Sequence, residues 1–207
     1  MKFLRLIYML AFVGLFTQAC KTSKTGSTNE TGSATQLSIF QNNKEHRIKK
    51  YSETAELDKK EFSLRFYNKK YDVENNKFYS AQIAAFMDKS EFDKVKIGLE
   101  MAELSCFEPG TGMAPARSGI YESLILTNTG HHYTFYENEE SKRLNLLDDS
   151  GDLVKLEFEI NSLYYDGKKV SMTETDLSEF YIAFLIDKNL NGIIDQGELN
   201  KLTIKLK

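Results

Sequence analysis

Three observations predict an all-β protein, built as an antiparallel β-sandwich or a small barrel. Apolar residues recur at every second position in several segments, turn-forming clusters separate those segments, and one run is apolar throughout. A period of two gives a strand one apolar and one wet face, as an antiparallel sheet with one solvated side requires.

Phe62, Leu64 and Phe66 alternate with Ser63 and Arg65, which gives the first clear strand. Val95, Ile97 and Leu99 alternate with Lys94, Lys96 and Gly98. A helix competes for this second stretch. Ser90-Glu91-Phe92-Asp93 has the form of a capping box, and Phe92, Val95, Leu99 and Ala102 also fall at helical spacing. Gly98 would cost such a helix about 1 kcal/mol relative to Ala, and the strand reading stands slightly ahead. Val154, Leu156, Phe158 and Ile160 alternate with Lys155, Glu157 and Glu159, and Leu202, Ile204 and Leu206 alternate with Lys201, Thr203 and Lys205. Phe180 to Ile186 is apolar throughout, which places it as a central strand buried on both faces. Asn68-Lys69-Lys70, Asn75-Asn76, Thr129-Gly130, Asp149-Ser150-Gly151 and Asp166-Gly167 supply the turn signals.

Gly119 to Leu126, with Tyr121 second after the glycine, leads into Gly130-His131-His132-Tyr133-Thr134-Phe135. This stretch resembles the first hairpin of lipocalin-like exported domains, in which a Trp usually stands where this chain has Tyr121. The resemblance implies a small lipocalin-like barrel as the alternative to a sandwich, and it carries no catalytic residues.

The first twenty residues belong to a different problem. Lys2 and Arg5 precede the apolar run Leu6 to Phe16, which is shorter than the about 20 residues that a permanent membrane helix needs. Thr17-Gln18-Ala19 then leads into Cys20. An apolar run, a small residue and a cysteine at this distance resemble the lipobox of bacterial lipoproteins, with Gln18 bulkier than the usual residue. The resemblance implies acylation of Cys20 and, with Lys21 following, anchorage in the outer membrane of a bacterial envelope, on either face. The other reading is an ordinary cleaved signal with Cys20 as a bystander. Lys21 to Gln36 holds five Thr, three Ser and two Gly. Such a stretch cannot bury enough apolar surface to order itself, and it reads as a tether spanning about 22 Å. The organisation is therefore a signal over 1–19, an anchor and tether over 20–44, and a β-rich domain over 45–207.

The formal charge of −3 at pH 7 becomes more negative once Lys2 and Arg5 are removed, and the charges are evenly mixed. That argues against a nucleic-acid partner and against a polybasic membrane patch. Only Cys20 and Cys106 are present, so a lipidated Cys20 leaves Cys106 without an intrachain disulfide partner. Leu104-Ser105-Cys106-Phe107 makes Cys106 a small buried hydrophobe.

The most specific motif lies near the C-terminus, in Asp187-Lys188-Asn189-Leu190-Asn191-Gly192-Ile193-Ile194-Asp195-Gln196-Gly197-Glu198. Oxygen-bearing side chains stand at positions one, three, five, nine and twelve, with Gly at six. Ca²⁺ is a hard cation that takes six to eight oxygens. Asp187, Asn189 and Asn191 offer one side-chain oxygen each, Ile193 its carbonyl, Asp195 a direct or water-borne ligand and Glu198 two oxygens. These twelve residues resemble an EF-hand loop position by position. The flanks do not: Tyr181 to Ile186 reads as a strand, and Leu190 is an unusual apolar residue at position four. The arrangement is closer to the isolated calcium loops of exported bacterial proteins. Without calcium, the same residues would make an Asn-Gly turn with solvated acids.

His131, His132, Glu137, Glu139 and Glu140 form a second polar cluster, but adjacent histidines on a strand face opposite ways. Glu108 to Gly119 contains both prolines and reads as a long loop that either engages a partner or merely connects. No GxSxG, HExxH or phosphate-cradling pattern is present. The expectation is a membrane-anchored lipoprotein that binds Ca²⁺ structurally and also a ligand or envelope partner. The alternative is an envelope-associated hydrolase whose site is assembled from distant residues.

Overall fold

The computed structural model describes residues 36–74, 77–79, 81–107, 124–127 and 144–207. Along the chain run β1 (Ser38–Gln41), β2 (Lys44–Arg47), β3 (Ser52–Leu57), β4 (Phe62–Asp72), β5 (Lys77–Phe78) and β6 (Ala81–Phe86). After these come α1 (Lys89–Lys94), a 3-10 turn at Met101–Glu103, β7 (Ile125–Thr127), β8 (Leu144–Ser150) and β9 (Leu153–Ile160). The chain closes with β10 (Ser162–Tyr165), β11 (Lys168–Ser171), β12 (Glu179–Ile186) and β13 (Leu199–Leu206). The protein is all-β with a sandwich-like arrangement, and its sheets do not close into a barrel.

One sheet runs β2-β1-β4-β9-β8, with β5 added to β4; a second runs β3-β13-β12-β6; a third, small one runs β11-β10-β7. Alternation explains the main interface. Phe62, Leu64 and Phe66 of β4 and Leu156, Phe158 and Ile160 of β9 turn inward to Phe180, Ile182 and Phe184 of β12 and Leu202 and Ile204 of β13. Phe66 meets Phe184 edge-to-face with ring centroids 4.9 Å apart, and Phe62 meets Phe180 at 6.5 Å.

The expected central strand is β12, paired with β13 on one side and β6 on the other. Its other face, Tyr181, Ala183 and Leu185, packs into a second cluster with Phe92, Val95, Met101, Phe107, Ile194 and Leu199. An all-apolar strand is what two cores on opposite faces require.

Three expectations are corrected. The stretch around Phe92 is not a strand: Asp88, not Ser90, caps α1 by accepting a hydrogen bond from the Ser90 amide at 2.7 Å. The helix stops at Lys94, and Gly98 follows with φ +90, a left-handed value that suits glycine. Asn68-Lys69-Lys70 is no turn but part of β4, where Asn68 and Lys70 are buried and bond to the Tyr79 carbonyl and to Asp149. The sheet begins before the expected boundary at 44, because Leu37 and Ile39 are buried, β1 lies wholly before it and β2 starts at Lys44. The pairing is predominantly antiparallel, as expected, and β3 with β13 is a parallel pair within it.

The Asp166-Gly167 turn does join β10 to β11, with φ of +51 and +70. The signal, Cys20 and residues 21–35 lie outside the described residues. So do the Asn75-Asn76 and Thr129-Gly130 turns, the 108–119 loop and the cluster from His131 to Glu140. Of the lipocalin-like hairpin, 124–127 is described, and there β7 pairs with β10.

Candidate metal loop

Two adjacent antiparallel strands hold the ends of the loop. β12 delivers Asp187 directly after buried Ile186, and β13 begins at Leu199 directly after Glu198. The Ile186 amide donates to the Glu198 carbonyl at 3.1 Å, so the two acidic residues sit together at the mouth. Strands therefore flank the loop on both sides, and no helical turn follows it.

Inside, Asp187, Asn189, Asn191 and Glu198 accept hydrogen bonds from backbone amides. Asp187 Oδ2 accepts from Gly192 N at 2.9 Å, Asn189 Oδ1 from Asn191 N at 3.1 Å, and Asn191 Oδ1 from Ile193 N at 2.7 Å. Glu198 Oε1 accepts from Lys188 N at 2.8 Å and Oε2 from Asp195 N at 3.0 Å. Asn189 and Asn191 each turn Nδ2 to Asp195 Oδ2, at 2.8 and 2.9 Å. Amide donors thus supply the positive edge that Asp195 faces, and they hold its carboxyl below the usual range. Gly192 and Leu190 both take left-handed φ, +74 and +57. The turn at position six suits glycine, whereas Leu190 is an exposed apolar residue in a conformation that costs any residue with a Cβ.

Electrostatics at the mouth are unfavourable. Asp187 and Glu198 are each only 4% exposed. Burial, more than anything else, pushes the Glu198 carboxyl up, and the charges of Asp187 and Asp195 add to that, against the two amide hydrogen bonds. Lys188 Nζ bonds the Gly197 carbonyl at 2.8 Å, and burial holds its pKa below the ordinary value. Asp187 Oδ1 is buried and has no hydrogen-bond partner among the described residues. A carboxylate oxygen desolvated in this way is costly unless something positive meets it.

The loop also leans on a neighbour that the sequence pattern does not announce. Gly98 N donates to the Ile194 carbonyl at 2.8 Å, Ile194 N to the Leu99 carbonyl at 2.9 Å, and Met101 N to the Gly192 carbonyl at 2.8 Å. This short antiparallel ladder, bridged at Glu100 and Ile193, leaves the Ile193 carbonyl out of its bonds. It also sets Ile194 into the second core beside Phe92 and Met101. The one hint in the sequence was Gly98, a glycine that weakens the helical reading of this stretch.

Among the described residues no group of three His, Cys, Asp or Glu side chains is placed to hold a metal by itself. The donor set of the loop is a mixed one, in which two carboxamides and a main-chain carbonyl join the acids. Cys106 is half-buried, and desolvation pushes its thiol up to about 11, as suits the inert role that its neighbours suggest. Comparison with family models, with curated proteins and with solved structures returns no match for this chain.

Proposed function

We propose that this is an exported lipoprotein, anchored through acylated Cys20, whose β domain uses Ca²⁺ at residues 187–198 to brace its last hairpin while the sandwich serves a binding role in the bacterial envelope. The observation that carries the calcium reading is Asp187 Oδ1, buried and unpartnered at the first position of an oxygen-donor series that is otherwise in register. Asp187, Asn189, Asn191, the Ile193 carbonyl, Asp195 and Glu198 would hold the ion, and the charge of the ion would relieve the buried pair at the mouth. Its contribution is structural. It steadies the junction from which β13 departs and the ladder that seats Ile194.

Three carboxylates are fewer than the tightest calcium sites use, so the affinity expected is in the weak extracellular range, about 10⁻⁴ M. At about 1 mM Ca²⁺ this stabilises the fold by about 1.4 kcal/mol. Calorimetric titration should give that affinity, and Asp187→Ala should abolish the calcium-dependent rise in melting temperature. A wild-type protein that takes up no Ca²⁺ at millimolar concentration reduces the loop to an acidic turn. The anchor has its own check. Mass spectrometry of the N-terminal peptide should find a mature chain beginning at acylated Cys20, and a mature chain that begins elsewhere refutes the anchor.

A further inference from the structure

On the other sheet from the loop, a cleft of about 810 Å³ opens over the outward face of β1, β4 and β9, within the size range of sites that enclose small ligands. None of the loop residues lines it. Its floor follows from strand register. Phe40 stands opposite Ser63 and Ser63 opposite Glu159, while Arg65 stands opposite Glu157 in the next row. Arg65 Nε donates to Glu157 Oε1 at 2.7 Å, and the guanidinium lies 3.4 Å from the centre of the Phe40 ring. The strongest cation of the floor is thereby neutralised and immobilised.

Both rims are pinned. One is the Asn42-Asn43 turn between β1 and β2, where φ values of +51 and +60 hold both asparagines in the left-handed conformation that Asn tolerates well. Gln41 ties this turn to its neighbour, its Nε2 donating to the Asp58 and Lys60 carbonyls at 3.1 and 3.2 Å and its Oε1 accepting from Asp58 N at 2.9 Å. On the other rim, Met172 N bonds the Asn161 carbonyl at 2.9 Å and Ser171 Oγ meets Thr173 Oγ1 at 2.9 Å. Little ordering remains to be done when a ligand arrives.

The chemistry of the lining selects the ligand. Carboxamides and hydroxyls surround the Phe40 ring, and the other aromatic of the lining, Phe62, is buried. With Arg65 and Glu157 paired, exposed Glu61 and Glu159 outweigh exposed Lys60 and disfavour anions. An apolar molecule would leave the amides unpaired. A peptide added as an extra strand finds no free edge on this floor, because β1, β4 and β9 are each hydrogen-bonded on both sides. A molecule rich in hydroxyls and without charge satisfies every group. We infer that the cleft binds a neutral oligosaccharide, which lays a ring face toward Phe40 and hydrogen-bonds through its hydroxyls to Glu159, Asn43 and Asn161. The inference goes beyond the calcium reading and does not rest on it.

Affinity electrophoresis tests it, with the intact protein run through gels containing soluble starch, xylan, mixed-linkage glucan or galactomannan. At least one polysaccharide should retard the wild type, and the retardation should persist in about 0.5 M NaCl, because screening weakens only charge-driven contacts. Glu159→Ala and Asn43→Ala, both at exposed positions, should each weaken retention about tenfold through the loss of a hydrogen bond. Free migration in all four gels overturns the inference. So does retention that salt abolishes, which marks an ionic partner such as a basic peptide, or retention that neither substitution changes.

Discussion

Phe184→Ala should lower the unfolding free energy by about 3–5 kcal/mol, the largest effect expected of any single substitution in this protein. Phe184 is fully buried, lies within the central strand β12, and presents its ring edge-to-face to Phe66 across the sandwich. Truncation removes the transfer energy of a whole ring and leaves a cavity that paired strands on both sides cannot collapse to fill. A domain of this size has about 5–15 kcal/mol to lose, so the variant should sit near the edge of folding. Urea denaturation checks this, the expected result being a much lower midpoint with an unchanged slope. A loss below about 1 kcal/mol would mean that the two main sheets do not meet at this ring.

Lys201→Met should cost about 1–3 kcal/mol, which is unusual for the removal of a charge from a strand. Lys201 is 7% exposed, and its ammonium donates to the Phe92 carbonyl at 2.8 Å and to the Val95 carbonyl at 3.1 Å, at the C-terminal end of α1. It also lies 4.1 Å from the centre of the Phe92 ring and 3.8 Å from Asp93 Oδ1. A helix of six residues is too short to hold itself, and this ammonium, coming from a distant strand, satisfies carbonyls at its end. Methionine keeps the apolar stem and removes the donors. Thermal unfolding measured beside wild type reads the cost. An unchanged melting temperature would show that water serves those carbonyls equally well.

Local pattern revealed the strands that carry the main core. β4, β9 and β13 were legible because each alternates cleanly, and β12 because only a strand covered on both faces can be apolar at eight successive positions or nearly so. The region after Asp88 was not legible. Val95 and Leu99 satisfy two periods at once, and the decision came from tertiary partners, namely Tyr181 stacked on Phe92 at 5.1 Å and Lys201 at the helix end. Asn68 and Lys70 looked like turn formers because a buried polar pair inside a strand makes sense only once Tyr79 and Asp149 are seen to receive it. The donor series of the loop was legible since its spacing is itself the chemistry. Its supporting ladder from 98 to 101 was not, and neither was the cleft, which draws on segments far apart in the chain and joined only by register.

The parallel ladder between β3 and β13 has a consequence for the order in which the protein becomes native. Ser52 aligns with Lys201 and Leu57 with Leu206, so β3 waits for a strand far along the sequence. Closing a loop of that length costs about 4 kcal/mol of chain entropy before any contact repays it. A topology with so much sequence between partners folds slowly, and no part of this ladder can form on a nascent chain until β13 has been made. Under the export proposed above, the delay would help to keep the chain unfolded for threading through a membrane. The final strand then acts as a latch, and its closing marks the moment when the domain commits to its native topology.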